Sequence, residues 1–194
     1  MKYLSLFKMP IAVKITGRSS SITNAFINSI IPVIHPTEEH VREALSVLRM
    51  TNDNFSCCYC GAVASEWDHL RPLVLNKQPT GFISEIQNLV PSCGKCNQSK
   101  GNKFWRDWMF SDAKLSPKTK NVADIQTRAK NLEAYEKWMP ATRLDFANIV
   151  GESVWTKHQQ NLKEIQELMR KSQALGEKVK MAIAAAHAES KDDL

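Results

Sequence analysis

The sequence predicts an α+β chain: a small zinc-stapled module between mainly helical flanks, the last flank being one long helix. Three observations predict it. Two Cys-x-x-Cys pairs, Cys57/Cys60 and Cys93/Cys96, enclose 32 residues. Within that interval short apolar runs are broken by Pro and Gly, as strands are. Outside it, apolar residues recur at three- and four-residue steps, as on one face of a helix.

In chain order, Tyr3, Leu4, Leu6 and then Ile11, Val13, Ile15 alternate loosely around Pro10, which predicts two short strands or extended segments. Ser21 is placed to cap a short apolar helix through Ile22, Ala25, Phe26 and Ile30 that Pro32 ends. Thr37, followed by Glu38 and Glu39, is a good N-cap, and Val41, Ala44, Leu45 and Leu48 keep helical spacing, so a helix is expected over Thr37–Met50. In the module, Trp67–Leu73 reads as a strand with Trp67 expected in the core, Val74–Ser84 as a loop, Ile86–Val90 as the returning strand and Gly94–Gly101 as the start of a helix. Trp105, Trp108, Met109 and Phe110 form an apolar packing cluster, Ser111–Asn121 a loop, and Asp124–Met139 a helix ended by Pro140. From Glu152 to about Ala188 one long helical pattern runs through Trp155, Leu162, Ile165, Met169, Leu175, Val179 and Ile183, interrupted only by Gly176. Pairing with a second copy, folding back at Gly176 and wrapping the module are all open to it. The division expected is therefore 1–50 as an N-terminal flank of short strands plus a helix, 51–110 as the cysteine-rich module, and 111–194 as a helical C-terminal region.

Composition, with 43% hydrophobic and 24% charged residues in 194, is that of a globular chain holding one good core. No run approaches the ~20 apolar residues of a membrane span, and Lys8 interrupts the apolar start, so neither an export signal nor an anchor is expected and the expectation is cytoplasmic. In a reducing compartment paired cysteines are metal ligands rather than disulfides. Two knuckles supply four thiolates at tetrahedral separations, so Cys57, Cys60, Cys93 and Cys96 are expected to hold a structural Zn²⁺, with Gly61 and Gly94 giving the turns their freedom. Cys58 is left as a free thiol. The net charge of +6 is concentrated: residues 55–121 hold nine Lys/Arg against five Asp/Glu, a field to which a phosphate backbone is drawn.

Cys57-Cys58-Tyr59-Cys60-Gly61, Asp68-His69-Leu70-Arg71-Pro72, Asn88-Leu89-Val90-Pro91 and Cys93-Gly94-Lys95-Cys96-Asn97-Gln98-Ser99-Lys100 follow one another in this order. Together they resemble the HNH endonucleases of the ββα-metal (His-Me finger) superfamily, over about residues 55–103. The resemblance implies a metal-dependent endonuclease that hydrolyses DNA phosphodiester bonds and leaves 5′-phosphate and 3′-hydroxyl ends. It makes His69 the general base, Asp68 and Asn97 the ligands of a catalytic divalent cation, and Asn88 the residue that orients His69 or braces its loop. Asn97 stands where a histidine is common, which favours Mg²⁺ or Mn²⁺ over softer ions. The chemistry asks for the same types: a base with a pKa near ~6.5, and hard oxygens for a cation that offsets charge on the phosphate. Asp68 and His69, as strand neighbours, point to opposite sides unless the backbone bends, so the fold must bring both to one phosphate.

Arg71, Lys100, Lys103 and Arg106 are the candidate contacts to a nucleic acid, expected to be double-stranded DNA, in a bacterial or phage restriction or defence setting. A second reading keeps only the scaffold: a zinc-ribbon module that binds nucleic acid or protein without catalysis. A third makes the chain the nuclease subunit of a larger complex, with the long helix docking on a partner or on a second copy. His69, Asp68 and Asn97 discriminate them, since a binder needs no base and no cation.

Overall fold

The structure, a computed structural model, describes residues 3–192. It is α+β as expected, with seven α-helices and two two-stranded antiparallel sheets among the described residues. The chain divides into two units: residues 27–150, and a second unit that joins the segment up to Phe26 to the segment from Gly151.

In the unit of residues 27–150, helix α2 spans Glu38–Val47 and is capped as its sequence demands, Thr37 Oγ1 accepting from the His40 amide. Strand β1 (Glu66–His69) pairs with β4 (Leu89–Ser92) in a regular register, Asp68 opposite Val90 and His69 opposite Leu89. Between them, Val74–Leu75 (β2) and Gln78–Pro79 (β3) form a small hairpin in what the sequence marks as loop, turned by Asn76 and Lys77, both at positive φ. Ile86–Asn88, expected as strand, is a 3₁₀ turn leading into β4. Helix α3 (Gly94–Lys100) follows β4 at once, α4 (Trp105–Met109) buries Trp105, Trp108 and Met109, and α5 (Ile125–Trp138) buries Ala129, Leu132 and Tyr135.

These buried faces meet around the first knuckle. Tyr59 is fully enclosed, its ring edge-on to Trp108 with centroids 5.2 Å apart, in one cluster with Leu70, Val90, Leu132 and Tyr135. Each such side chain contributes about 1.5–3 kcal/mol by leaving water. The Tyr135 hydroxyl donates to the Ile86 and Leu89 carbonyls, which fastens α5 to the start of β4. A second, smaller cluster gathers Ile27, Ile31, Leu73, Val74 and Ile83 under the β2–β3 hairpin. Short α6 (Phe146–Val150) closes this unit.

In the other unit, the alternation read as strands at the start of the chain is instead a 3₁₀ turn over Tyr3–Leu6 and a further one over Ile15–Arg18, joined by irregular backbone with Ile11 and Val13 exposed. With no neighbouring strand to pair with, period-two apolar residues do not make a sheet. Helix α1 (Ser19–Asn28) begins slightly earlier than Ser21. Helix α7 (Glu152–Asp192) is continuous over 41 residues, about 60 Å at ~1.5 Å per residue, and passes through Gly176 without folding back. Gln166 on α7 donates to Thr23 Oγ1, and His158 packs on Phe26. No helix among the described residues is long and apolar enough to cross a membrane.

Candidate active site

Each knuckle is a backbone turn before it is a metal site. In the first, the Gly61 amide donates to the Cys57 carbonyl and the Cys57 amide to the Ala62 carbonyl, with Gly61 at φ +77°. In the second, Cys93 caps α3 and its carbonyl accepts from the Cys96 and Asn97 amides. The Cys58 amide donates to the Pro91 carbonyl, so β4 joins the two turns. From α5, the Arg128 guanidinium reaches in to the Cys57 carbonyl.

The four Sγ atoms of Cys57, Cys60, Cys93 and Cys96 lie within 4.8 Å of one another, and those of Cys60 and Cys93 are 3.7 Å apart. A tetrahedron with Zn–S bonds of ~2.3 Å has edges of about 3.8 Å. The thiols therefore stand where one zinc ion would hold them, with all-sulfur donors that suit it. Lys120 Nζ, 3.5 Å from Cys96 Sγ, adds a cationic donor beside the cluster. Cys58 is buried beside it but turned to the core, and burial pushes its thiol well above the usual range.

On β1 the side chains of Asp68 and His69 diverge, as a strand in regular register requires, so the bend expected to bring both to one phosphate is not seen in this arrangement. Asp68 is buried between two donors. Tyr59 Oη donates to Oδ2 at 2.6 Å, and Lys100 Nζ, itself fully buried, lies 3.2 Å from Oδ1 and 3.1 Å from Oδ2. Burial keeps the Tyr59 phenol well above its ordinary pKa, so it stays protonated and serves as the donor. Burial also raises the Asp68 carboxyl and lowers the Lys100 amine, each opposed by the other's charge. Lys100 donates further to the His69 and Gly101 carbonyls.

His69 is half-buried, and its Nε2 makes a 2.8 Å hydrogen bond with Ser84 Oγ. Ser84 is itself fixed by backbone bonds to Pro32 and Ile34. Burial, with the Lys100 charge as a second cause, lowers the imidazole pKa to about 4, so the ring is neutral at pH 7. With Nε2–H donated to Ser84, the lone pair is on Nδ1.

The Asn88 side chain hydrogen-bonds to Arg71 and Ile83, whereas the His69 ring bonds to Ser84. Asn88 is fully buried and ties the loop after β1, its Oδ1 accepting from the Arg71 amide and its Nδ2 donating to the Arg71 and Ile83 carbonyls. These three bonds are of the kind that braces a loop. Asn97 faces the same side of β1 as Asp68 through Glu66, two residues earlier: its Nδ2 donates to Glu66 Oε2, which leaves Oδ1, the ligand-capable atom, out of that bond. A carboxylate and an amide oxygen are the donor types a hard divalent cation takes, but both Asp68 oxygens are held by Tyr59 and by the buried Lys100 ammonium, so Asp68 as arranged here does not offer a cation an open ligand.

The four cationic candidates separate. Lys103 and Arg106 are on the surface, Lys103 donating to the Ser99 carbonyl and Arg106 paired with Glu133. Lys100 is inside, bound to Asp68, so in this arrangement it is an internal counter-ion rather than a phosphate contact. Arg71 is mostly covered, 3.4 Å from Glu136 and stacked over Phe82, with its Nη1 buried and unpartnered. Trp67, expected in the core, is instead 36% exposed beside Phe55, because it points to the face of β1 opposite Asp68. Tyr59, Glu66 and Ser84 are the neighbours that sequence reading passed over. Only Tyr59 carried a signal, lying inside a knuckle.

Residues 57–103 match the family model of the HNH endonuclease, so the resemblance seen in the motifs stands for this segment. A stretch of 59 residues is 39% identical to the CRISPR-associated endonuclease Cas9 of Corynebacterium diphtheriae, a match that covers 28% of this chain and 5% of that protein. The chain thus spans a small fraction of the length of that relative. No solved structure matches it significantly.

Proposed function

We propose that this chain is a metal-dependent endonuclease that hydrolyses DNA phosphodiester bonds, with residues 57–103 as its catalytic domain. The observation that carries the reading is the match of residues 57–103 to HNH endonucleases, a segment that holds Asp68-His69 on β1 between the two cysteine pairs. We place it in a bacterial or phage restriction or defence setting, and the basic balance of the segment favours a polyanionic substrate.

In this reading His69 Nδ1 takes a proton from the attacking water while Nε2–H remains on Ser84, and the low pKa keeps the ring in its proton-accepting form. The resemblance gives one Mg²⁺ or Mn²⁺ to Asp68 and Asn97 Oδ1; the Asp68 carboxylate would have to turn from Lys100 and Tyr59 to take that role, and the cation would then supply neutralising charge at the scissile phosphate and at the departing oxygen. Lys103 and Arg106, on the surface beyond α3, would contact the backbone without reading sequence.

Plasmid DNA incubated with the protein and Mg²⁺ or Mn²⁺ should be cut, and His69→Ala should lower the rate about 10²- to 10⁴-fold with zinc content and DNA binding intact. A variant that cuts as fast as the unmodified protein removes His69 as the base. Wild-type protein that binds DNA and never cuts it leaves the zinc-ribbon binding module.

A further inference from the structure

The face of β1 that Asp68 does not use carries Trp67 and His69, since side chains two residues apart on a strand share a face. The regular pairing with β4 puts Pro91 opposite Trp67 and Leu89 opposite His69. None of these four brings a carboxylate or an ammonium, so the strip of sheet around the imidazole is aromatic and apolar. Trp67 is 36% exposed, and Phe55, 38% exposed, packs beside it with the rings tilted by 44° and their centroids 6.1 Å apart. Rings that meet at this tilt do not cover one another, and part of each π-face is left to solvent. The other tryptophans near the knuckles, Trp105 and Trp108, are buried.

We propose that Trp67, with Phe55 beside it, is a stacking platform for an unpaired DNA base next to the phosphate at which His69 acts. The proposal rests on the reading of His69 as general base and adds a substrate preference to it, for single-stranded or locally unpaired DNA over intact duplex. Two residues of strand span about 6.8 Å. Trp67 therefore stands one or two nucleotide steps from His69, at about 3.4 Å of rise per nucleotide. In a duplex the faces of a base are covered by its neighbours, and a protein ring reaches them only once the base is unstacked. An aromatic surface accepts any base, because every base has a π-face. The excess of Lys and Arg in residues 55–121 attracts the backbone, and the platform holds the strand beside the imidazole without reading its sequence.

The test measures grip apart from chemistry. Affinities of the full chain for an oligothymidylate and for a duplex of equal length are read by fluorescence anisotropy without added Mg²⁺ or Mn²⁺. Trp67→Ala should weaken single-strand binding by about 5- to 150-fold, the worth of one stacked base. Trp67→Phe should keep most of that affinity, and the duplex should bind both variants as it binds the unmodified protein. Unaltered single-strand affinity in Trp67→Ala, or an equal loss on both DNAs, overturns the proposal. A second measurement needs no variant: an oligothymidylate carrying photoreactive 5-iodouracil should cross-link to Trp67 or Phe55, and cross-links found only elsewhere overturn the platform. The nuclease reading fails separately, as DNA bound and never cut when Mg²⁺ or Mn²⁺ is supplied, and stacking measured on the same samples stands without it.

Discussion

The knuckle module and helix α7 solve the same problem, holding a short sequence in one conformation, by opposite means. In residues 57–100 the regular elements are too short to stand alone: four residues in β1 and β4, two in β2 and β3, and seven in α3. Their geometry is fixed by groups distant in sequence, four thiols, a buried Lys100–Asp68 pair and an asparagine that binds three backbone groups. Helix α7 reaches 41 residues on local hydrogen bonds and spacing while leaving Leu168, Leu175, Val179 and Ile183 more than half or half exposed. The difference teaches where single changes are felt: in the module they propagate, because each group has several partners, and in α7 they stay local.

The largest expected effect sharpens that contrast. Removing zinc with a chelator should unfold the module, since structural zinc contributes about 10–16 kcal/mol in small zinc domains. Helix α7 should keep most of its far-ultraviolet dichroism at 222 nm. Loss of Trp108 fluorescence structure and helicity together, in one transition, would break the comparison.

A smaller effect is expected at Gly61, where φ is +77° and an added Cβ would lie 2.5 Å from Arg128 Nη2. Gly61→Ala should cost on the order of 1–2 kcal/mol, read as an earlier urea midpoint of the module, because the left-handed backbone is strained and the Arg128 bridge to the Cys57 carbonyl must shift. An unaltered midpoint would mean that the first knuckle tolerates rearrangement.

The smallest effect has the opposite sign. Gly176 in α7 has nothing within 4 Å of its would-be Cβ, so Gly176→Ala should stabilise that helix by about 0.8–1 kcal/mol, seen as a modest rise in helicity on heating with no change in zinc retention. A destabilised variant would mean that the glycine packs against something in solution.

What could be read from the sequence followed from short-range rules. Thr37 and its two glutamates announce α2, and the three-and-four spacing announces α5 and α7, because helix signals lie within one or two turns. Two Cys-x-x-Cys pairs around Asp68-His69 announce a zinc module with a candidate site, because ligand spacing is itself a local property of a turn. The same rules misjudged residues whose environment is assembled from afar. Lys100 reads from sequence as a candidate contact to nucleic acid and is buried, since only tertiary packing brings Asp68 beneath it. Trp67 looked like core and is exposed, since a strand decides sides only once a partner covers one of them.

The sequence by itself therefore determined the α+β class, the long terminal helix and the sulfur set, and it offered Asp68, His69 and Asn97 as candidates. Tertiary structure alone decided what each of these touches: Tyr59 and Lys100 on Asp68, Ser84 on His69, Glu66 on Asn97. The reason is physical. Residue type and spacing fix which groups are available, whereas burial and the meeting of segments far apart in the chain fix their hydrogen-bond partners and charge states.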